Sequence, residues 1–307
     1  MRDLIFLIYL NRSGSTLLAN QASAHPSICV CPEAHQPIRR LLGQMGPRMA
    51  LSERLDRLVA ETKTEPKLSS WGLDPALLRQ RLEGSNDDIE AFYRLLDAYA
   101  ETHAGASDQV MVKGLFLLQL MRQHGLKALQ LGRKVRAIIL FRDPRSIMSS
   151  QYRNVSSTSG TVMQDSAFAL AMRWRTFLKQ AKQFEGEQEC LFVRYEDWIG
   201  ENDRQKKRVF EALGLPDVTG GRSTLVSRIP EGQKHLHAKI GSAPDTSRIE
   251  AWREELSSEH RMIIEGIAGK QLQSMGYPAP EPVSVGRLLR SVVPDALRWG
   301  IRKVRRG

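Results

Sequence analysis

The stretch Leu4-Ile-Phe-Leu-Ile-Tyr-Leu10-Asn-Arg12-Ser-Gly14-Ser-Thr16-Leu-Leu18 constrains the fold more than any other part of the chain. Its first half is an unbroken run of β-forming apolar residues, and its second half turns abruptly small and hydroxylated. A strand covered on both faces, as in a parallel sheet, reads as such a run, and the small residues after it suit a tight loop opening a helix. That geometry makes an anion site. Backbone N–H groups of the Asn11–Ser15 loop and the first helical turn converge, Ser13, Ser15 and Thr16 add hydroxyls, and Arg12 adds a fixed positive charge. The expected ligand is a phosphate-like group. A nucleoside-triphosphatase loop would carry two glycines, a Lys for the terminal phosphates and a Ser/Thr for magnesium. Here the loop has one glycine, Gly14, and no Lys, and Arg12 precedes the glycine.

The 307 residues suffice for one large α/β domain, and no Pro/Ser/Gly-rich linker divides them. The expected fold is therefore α/β: a single domain over residues 1–278, with a central, mostly parallel sheet flanked by helices, and a basic tail over 279–307. A formal net charge of +11 points to acidic partners without choosing among nucleotide, sulfated substrate, membrane or nucleic acid. Three cysteines, Cys29, Cys31 and Cys190, give no paired framework, so a reduced, cytoplasmic setting is expected. No apolar run approaches the ~18 residues of a membrane span. Leu4–Leu10 is short for a signal h-region, follows Asp3 and lacks a clean cleavage site, so it is read as a strand of the mature protein.

After the first helix, Ile28-Cys-Val-Cys31 reads as a short strand leading to Pro32-Glu33-Ala34-His35. A carboxylate and an imidazole thus sit at a strand end, where open α/β sheets meet their ligands. Cys29 and Cys31 near His25 and His35 read as packed thiols, and no metal site is expected. Residues 38–106 read as helical, with Asn86-Asp87-Asp88 capping a helix that carries Phe92, Leu95, Leu96 and Tyr99. Val110–Lys113 is a further buried strand ending in Lys and Gly. Val135–Phe141 is another, broken at Arg142, where Asp143 can cap and Pro144 can take the first helical position. A second helix N-terminus with Arg142 beside it therefore opens at a strand end. Two such sites on one sheet suit a ligand with two separate phosphates.

Asn154–Gly160 reads as a Ser-rich loop, and Ala167–Phe184 as an amphipathic helix with Phe168, Met172, Trp174 and Phe177 turned to the core. Cys190–Trp198 reads as a strand with a polar end containing Tyr195, and Asp203–Leu213 as a helix stopped at Gly214. Thr219–Ser247 lacks periodicity and reads as a long functional loop. In the tail, Leu289, Val293, Leu297 and Ile301 recur every four residues among seven Arg/Lys, interrupted by Pro294. A kinked basic amphipathic helix follows, giving peripheral contact with an anionic membrane as one reading and a docked surface helix as the other.

Together Arg12-Ser-Gly-Ser-Thr-Leu-Leu, Phe141-Arg142-Asp-Pro-Arg-Ser-Ile-Met-Ser-Ser150, Val193-Arg-Tyr195-Glu-Asp197 and Arg248-Ile-Glu-Ala-Trp252-Arg-Glu-Glu-Leu resemble, in order, the sulfotransferases that use 3′-phosphoadenosine 5′-phosphosulfate. The resemblance runs from about residue 4 to 278. Around His25-Pro-Ser-Ile-Cys-Val-Cys-Pro-Glu33 the chain is most similar to the branch of tyrosylprotein sulfotransferases and their bacterial relatives. It implies a nucleotide sulfate donor, a hydroxylated acceptor, no metal and no nucleic-acid partner. It further implies that Arg12, Ser13, Gly14, Ser15, Thr16 and Leu17 hold the 5′-phosphosulfate, that Arg142 and Ser150 hold the 3′-phosphate, and that Tyr195 lies against the nucleotide. Glu33, on the neighbouring strand end, is then the general base, with His35 in reserve and Lys113 near the transferred group. The chain departs from that branch in two places. Lys113 is followed by Gly114-Leu115 where Thr-Pro or Asp-Pro is usual, and Ala34-His35 replaces an Arg after the Glu, which argues against peptide-tyrosine specificity. A carbohydrate or glycolipid hydroxyl is the favoured acceptor. The alternatives are an ATP-dependent phosphoryl transferase and a non-catalytic polyanion- or membrane-binding protein.

Overall fold

A computed structural model describes residues 1–104, 107–153, 166–216, 245–278 and 283–306. Five parallel strands form one sheet: β1 (Asp3–Tyr9), β2 (Ile28–Val30), β3 (Gln109–Lys113), β4 (Val135–Phe141) and β5 (Cys190–Arg194), in the spatial order β2-β3-β1-β4-β5. The apolar run is central for a physical reason. Leu4, Phe6, Ile8 and Leu10 point into the larger core cluster, with the helices Asp88–Ala104, Phe116–His124 and Ala167–Ala181. Ile5, Leu7 and Tyr9 point into a smaller cluster, with the helices Ser15–Ala22, Tyr195–Gly200 and Asn202–Ala212. Both faces are covered, so both sets of alternating positions must be apolar.

Chain order reverses around β1: the chain runs outward to β2, returns through β3, then crosses to β4 and β5 on the other side. Such a switch point leaves a crevice at the C-terminal strand ends. Registration decides what meets there. Leu7 pairs with Lys113, so β3 ends two residues below the end of β1, while Tyr9 pairs with Leu140, so Arg142 follows level with the loop after β1. Glu33 follows β2, which is separated from β1 by β3, so the carboxylate is not on the strand next to the loop. Lys113 stands between them.

The helix Pro144–Arg153 starts as expected from Asp143-Pro144, with the Arg145 amide donating to Asp143 Oδ1 at 2.8 Å. Two other expectations change. Met172 is on the exposed side of its helix, whereas Trp174 and Phe177 are buried. Tyr195 begins a helix, Tyr195–Gly200, rather than prolonging the strand end. The loop expected at Asn154–Gly160, and most of that expected at Thr219–Ser247, lie outside the described residues. Among the described residues no helix is long and apolar enough to cross a membrane.

Arg145 is a buried structural cation. Its guanidinium meets Asp143 (Nη2–Oδ2 2.7 Å) and Glu265 (Nη1–Oε1 2.8 Å), and lies 4.0 Å over the Trp252 ring. Removing it leaves two buried carboxylates facing each other without their cation. Arg145→Met is expected to lower stability by about 3–5 kcal/mol in urea denaturation; a loss within the scatter of surface substitutions would show that the pair is not holding the helix in place.

Candidate active site

The loop after β1 is built by two left-handed residues, Arg12 (φ 71°) and Gly14 (φ 85°), bracketing Ser13. Only glycine fits at position 14: a Cβ there would lie 2.2 Å from Tyr195 Cε2. Arg12, with its side chain, bears strain of about 1–3 kcal/mol to hold this turn. The helix begins at Ser15, so the amides of Ser15 and Thr16 have no intrahelical carbonyl and are available to an anion. The fully buried Ser13 hydroxyl also has no hydrogen-bond partner among the described residues. Thr16 and Leu17 are half-buried at the helix start.

Arg12 and Arg142 meet around this loop. Arg12 Nε donates to Ser150 Oγ at 3.0 Å; Arg142 Nη1 donates to the Arg12 carbonyl at 3.0 Å and Nη2 to the Arg248 carbonyl at 3.4 Å. The Arg142 guanidinium also lies 4.2 Å over the Tyr195 ring, while its buried Nε lacks a partner. All these acceptors are neutral. Among the described residues neither arginine meets a carboxylate, because the one carboxylate in Arg142-Asp-Pro-Arg145 is taken by Arg145, and Glu196 accepts from the Asp143 amide and the Tyr277 hydroxyl. Burial first, and then the charge of Arg142 with a further contribution from Arg153, lowers the Arg12 pKa from its ordinary value. Two cations close together, buried Arg142 and half-buried Arg12, beside unbonded amides and an orphaned hydroxyl make a crevice that favours an anion.

Across β3 lies a second cluster. Glu33 Oε1 accepts from the Tyr9 hydroxyl at 2.8 Å and faces Lys113 Nζ at 3.3 Å. The other carboxylate oxygen has no partner among the described residues, and the Glu33 side chain is 29% exposed. Burial opposes ionisation of Glu33, but Lys113, His35 and Lys67 and the Tyr9 hydrogen bond together hold it well below the usual carboxylate range. Burial, then the Glu33 charge and hydrogen bond, pushes the Tyr9 phenol well above its ordinary value, with the Ser15 hydroxyl acting in opposition. Tyr9 therefore stays protonated and donates to the carboxylate.

His35 Nε2 lies 2.9 Å from the Lys113 carbonyl, which only accepts, so that nitrogen carries a proton. Its pKa is lowered, chiefly by burial. Gly114 explains the departure after Lys113: a Cβ there would lie 2.6 Å from Phe116 Cε1 and 3.0 Å from His35 Nε2. The structure brings Arg12, Arg142 and Ser150 together, and it sets Glu33 against Lys113, a pairing the sequence reading does not foresee. That reading also misses Tyr9, whose polar end is hidden in an apolar run; its position as the last strand residue before a polar loop is the signal. Arg39 and Arg40, close to Glu33 in sequence and so the obvious salt-bridge partners for it, turn elsewhere: Arg40 meets Glu61 and Arg39 the Gln44 carbonyl. His25, near the two cysteines, spends both ring nitrogens on backbone groups of Ser27 and Pro216.

The chain's residues 4–219 match the model of the Sulfotransferase family. Among solved structures it is similar to the sulfotransferase domain from the curacin biosynthetic pathway (TM-score 0.56, 18% identity, covering 91% of this chain and 99% of that one). It is similar also to the sulfotransferase domain from the Synechococcus PCC 7002 olefin synthase (TM-score 0.56, 17% identity, 91% and 96%). A weaker likeness is to mouse sulfotransferase SULT7A1 complexed with PAP (TM-score 0.49, 13% identity, 88% and 85%). No curated protein matches the chain significantly. With a fold similar to that of two sulfotransferase domains and a family match over most of the sequence, the chain belongs to the sulfotransferase family.

Proposed function

We propose that the protein transfers a sulfuryl group from 3′-phosphoadenosine 5′-phosphosulfate to an acceptor hydroxyl, of a carbohydrate or glycolipid. The observation that carries this reading is the close pair of guanidiniums, half-buried Arg12 and buried Arg142, at Ser150 and the anion loop, with no carboxylate in ion-pair contact with either among the described residues. Arg12, Ser13, Gly14, Ser15, Thr16 and Leu17 would hold the 5′-phosphosulfate, Arg142 and Ser150 the 3′-phosphate, and Tyr195 would lie against the nucleotide. When bound, the donor supplies an electrophilic sulfur and a phosphate leaving group. The loop amides and Arg12 stabilise the charge that grows on the leaving oxygen.

Glu33 takes the acceptor's proton on its unpartnered oxygen as the hydroxyl oxygen bonds to sulfur and the bond from sulfur to the donor phosphate breaks. Its lowered pKa keeps it ionised but makes it a weak base while Lys113 is paired with it. Turning the Lys113 ammonium toward the transferring group removes that pairing and raises the basicity of Glu33 when a proton must be accepted. His35, bonded to the Lys113 carbonyl, fixes the strand end from which this lysine projects, and is next in line as base.

Calorimetry with adenosine 3′,5′-bisphosphate in EDTA is expected to show binding that Arg142→Ala weakens about 10- to 100-fold, the scale of lost charge-assisted hydrogen bonds. Negligible heats for both proteins, or a requirement for ATP and magnesium in turnover, would sink the assignment. Glu33→Gln should keep nucleotide affinity and lower kcat by about 10²–10⁴; undiminished turnover would move the base elsewhere. Tyr9→Phe removes a donor that favours the charged carboxylate, so the Glu33 pKa rises. The acidic limb of the kcat/KM profile should then move to higher pH with nucleotide affinity unchanged. A limb that stays put would reduce Tyr9 to a packing residue.

A further inference from the structure

The helix Val285–Arg306 is held to the domain by one face. Buried Asp295 accepts from Ser166 Oγ at 2.9 Å and from the Phe168 amide at 2.8 Å, at the start of the helix Ala167–Ala181. Trp299 packs on Phe168 with ring centroids 6.2 Å apart. Leu288 fills the space at Gly266, where a Cβ would lie 2.5 Å from Leu288 Cδ1. These three contacts fix the rotation of the helix about its axis, so its outer face has a definite composition.

That outer face is apolar. Val285, Leu289, Val293, Leu297 and Ile301 are 49–72% exposed. Residues four apart advance by only about 40° on a helix of 3.6 residues per turn, so the five side chains form one continuous, slowly winding stripe. Exposed Arg290 and Arg298 stand beside it, Arg298 lying 3.9 Å from Asp295, and exposed Arg287 lies further round the helix. The one acid of this helix, Asp295, is buried on the docked side. An exposed apolar stripe flanked by cations, on a helix whose one acid is buried, is complementary to an anionic lipid surface, where apolar side chains enter the acyl boundary and guanidiniums meet headgroup phosphates. A second copy of the chain fits the face poorly, since pairing two stripes would bring their arginines together.

We propose that this helix is a peripheral docking surface for anionic membrane, lying in the interface plane and not spanning it. The proposal is independent of the donor and base assignments.

Cosedimentation of the full chain with vesicles of phosphatidylcholine, alone or mixed with phosphatidylserine, tests it. Binding is expected only to the mixed vesicles and should weaken as salt rises. Leu289→Glu with Leu297→Glu should reduce it by about tenfold or more, and Arg287→Ser with Arg290→Ser by about tenfold. The second pair leaves the apolar stripe intact, so it separates charge from packing. Adenosine 3′,5′-bisphosphate binding should be unchanged in every variant, which keeps a failure here distinct from a failure of the nucleotide site. No binding to either vesicle, equal binding to both, or self-association that the leucine substitutions abolish would each overturn the proposal.

Discussion

Placing like charges together with no carboxylate in direct contact is costly, and the crevice at the ends of β1 and β4 does so with half-buried Arg12 and buried Arg142. Much of the surrounding architecture serves to make that tolerable. The arginines donate to neutral acceptors, Ser150 and two backbone carbonyls, and Arg142 stacks on Tyr195. The carboxylate most able to quench them, Asp143, is instead engaged by Arg145 through two side-chain nitrogens. A positive field whose nearest carboxylate is engaged elsewhere favours an anion.

A second electrostatic arrangement stands across β3. There the charges are balanced, carboxylate to ammonium, and a phenol adds a third member. Tyr9, the last residue of the strand that leads into the loop, touches Glu33. The loop and the carboxylate are thus drawn near each other even though a strand separates them in the sheet. Lys113 reaches Glu33 because its strand is the one interposed.

What could be read from the chain was whatever local chemistry dictates. The switch from an apolar run to Asn-Arg-Ser-Gly-Ser-Thr specifies a buried strand and an anion loop, and Asp143-Pro144 specifies a helix start, because these depend on residues adjacent in sequence. Partnership across the sheet was less legible. That Glu33 pairs with Lys113 rather than Arg39 or Arg40 is set by strand order, which no local signal encodes. Tyr9 was hidden because a β-former in a buried strand looks the same whether its hydroxyl is employed or idle. Tyr195 read as strand, yet the chain turns helical there, placing its ring against Gly14. Met172 read as core because its helix is amphipathic, but its position falls on the outer rim.

The order of the strands also bears on how the chain is made. β1 is central, yet its hydrogen-bonding neighbours lie more than a hundred residues later: Leu4 pairs with Val110 on one side and Val135 on the other. At a synthesis rate of roughly 5–20 residues per second, a nascent chain carries that sticky segment for about 5–25 s before either flank exists. During that interval it is a template for pairing with other chains. Recombinant yield should therefore be governed by ribosome speed and chaperone supply as much as by the stability of the finished sheet.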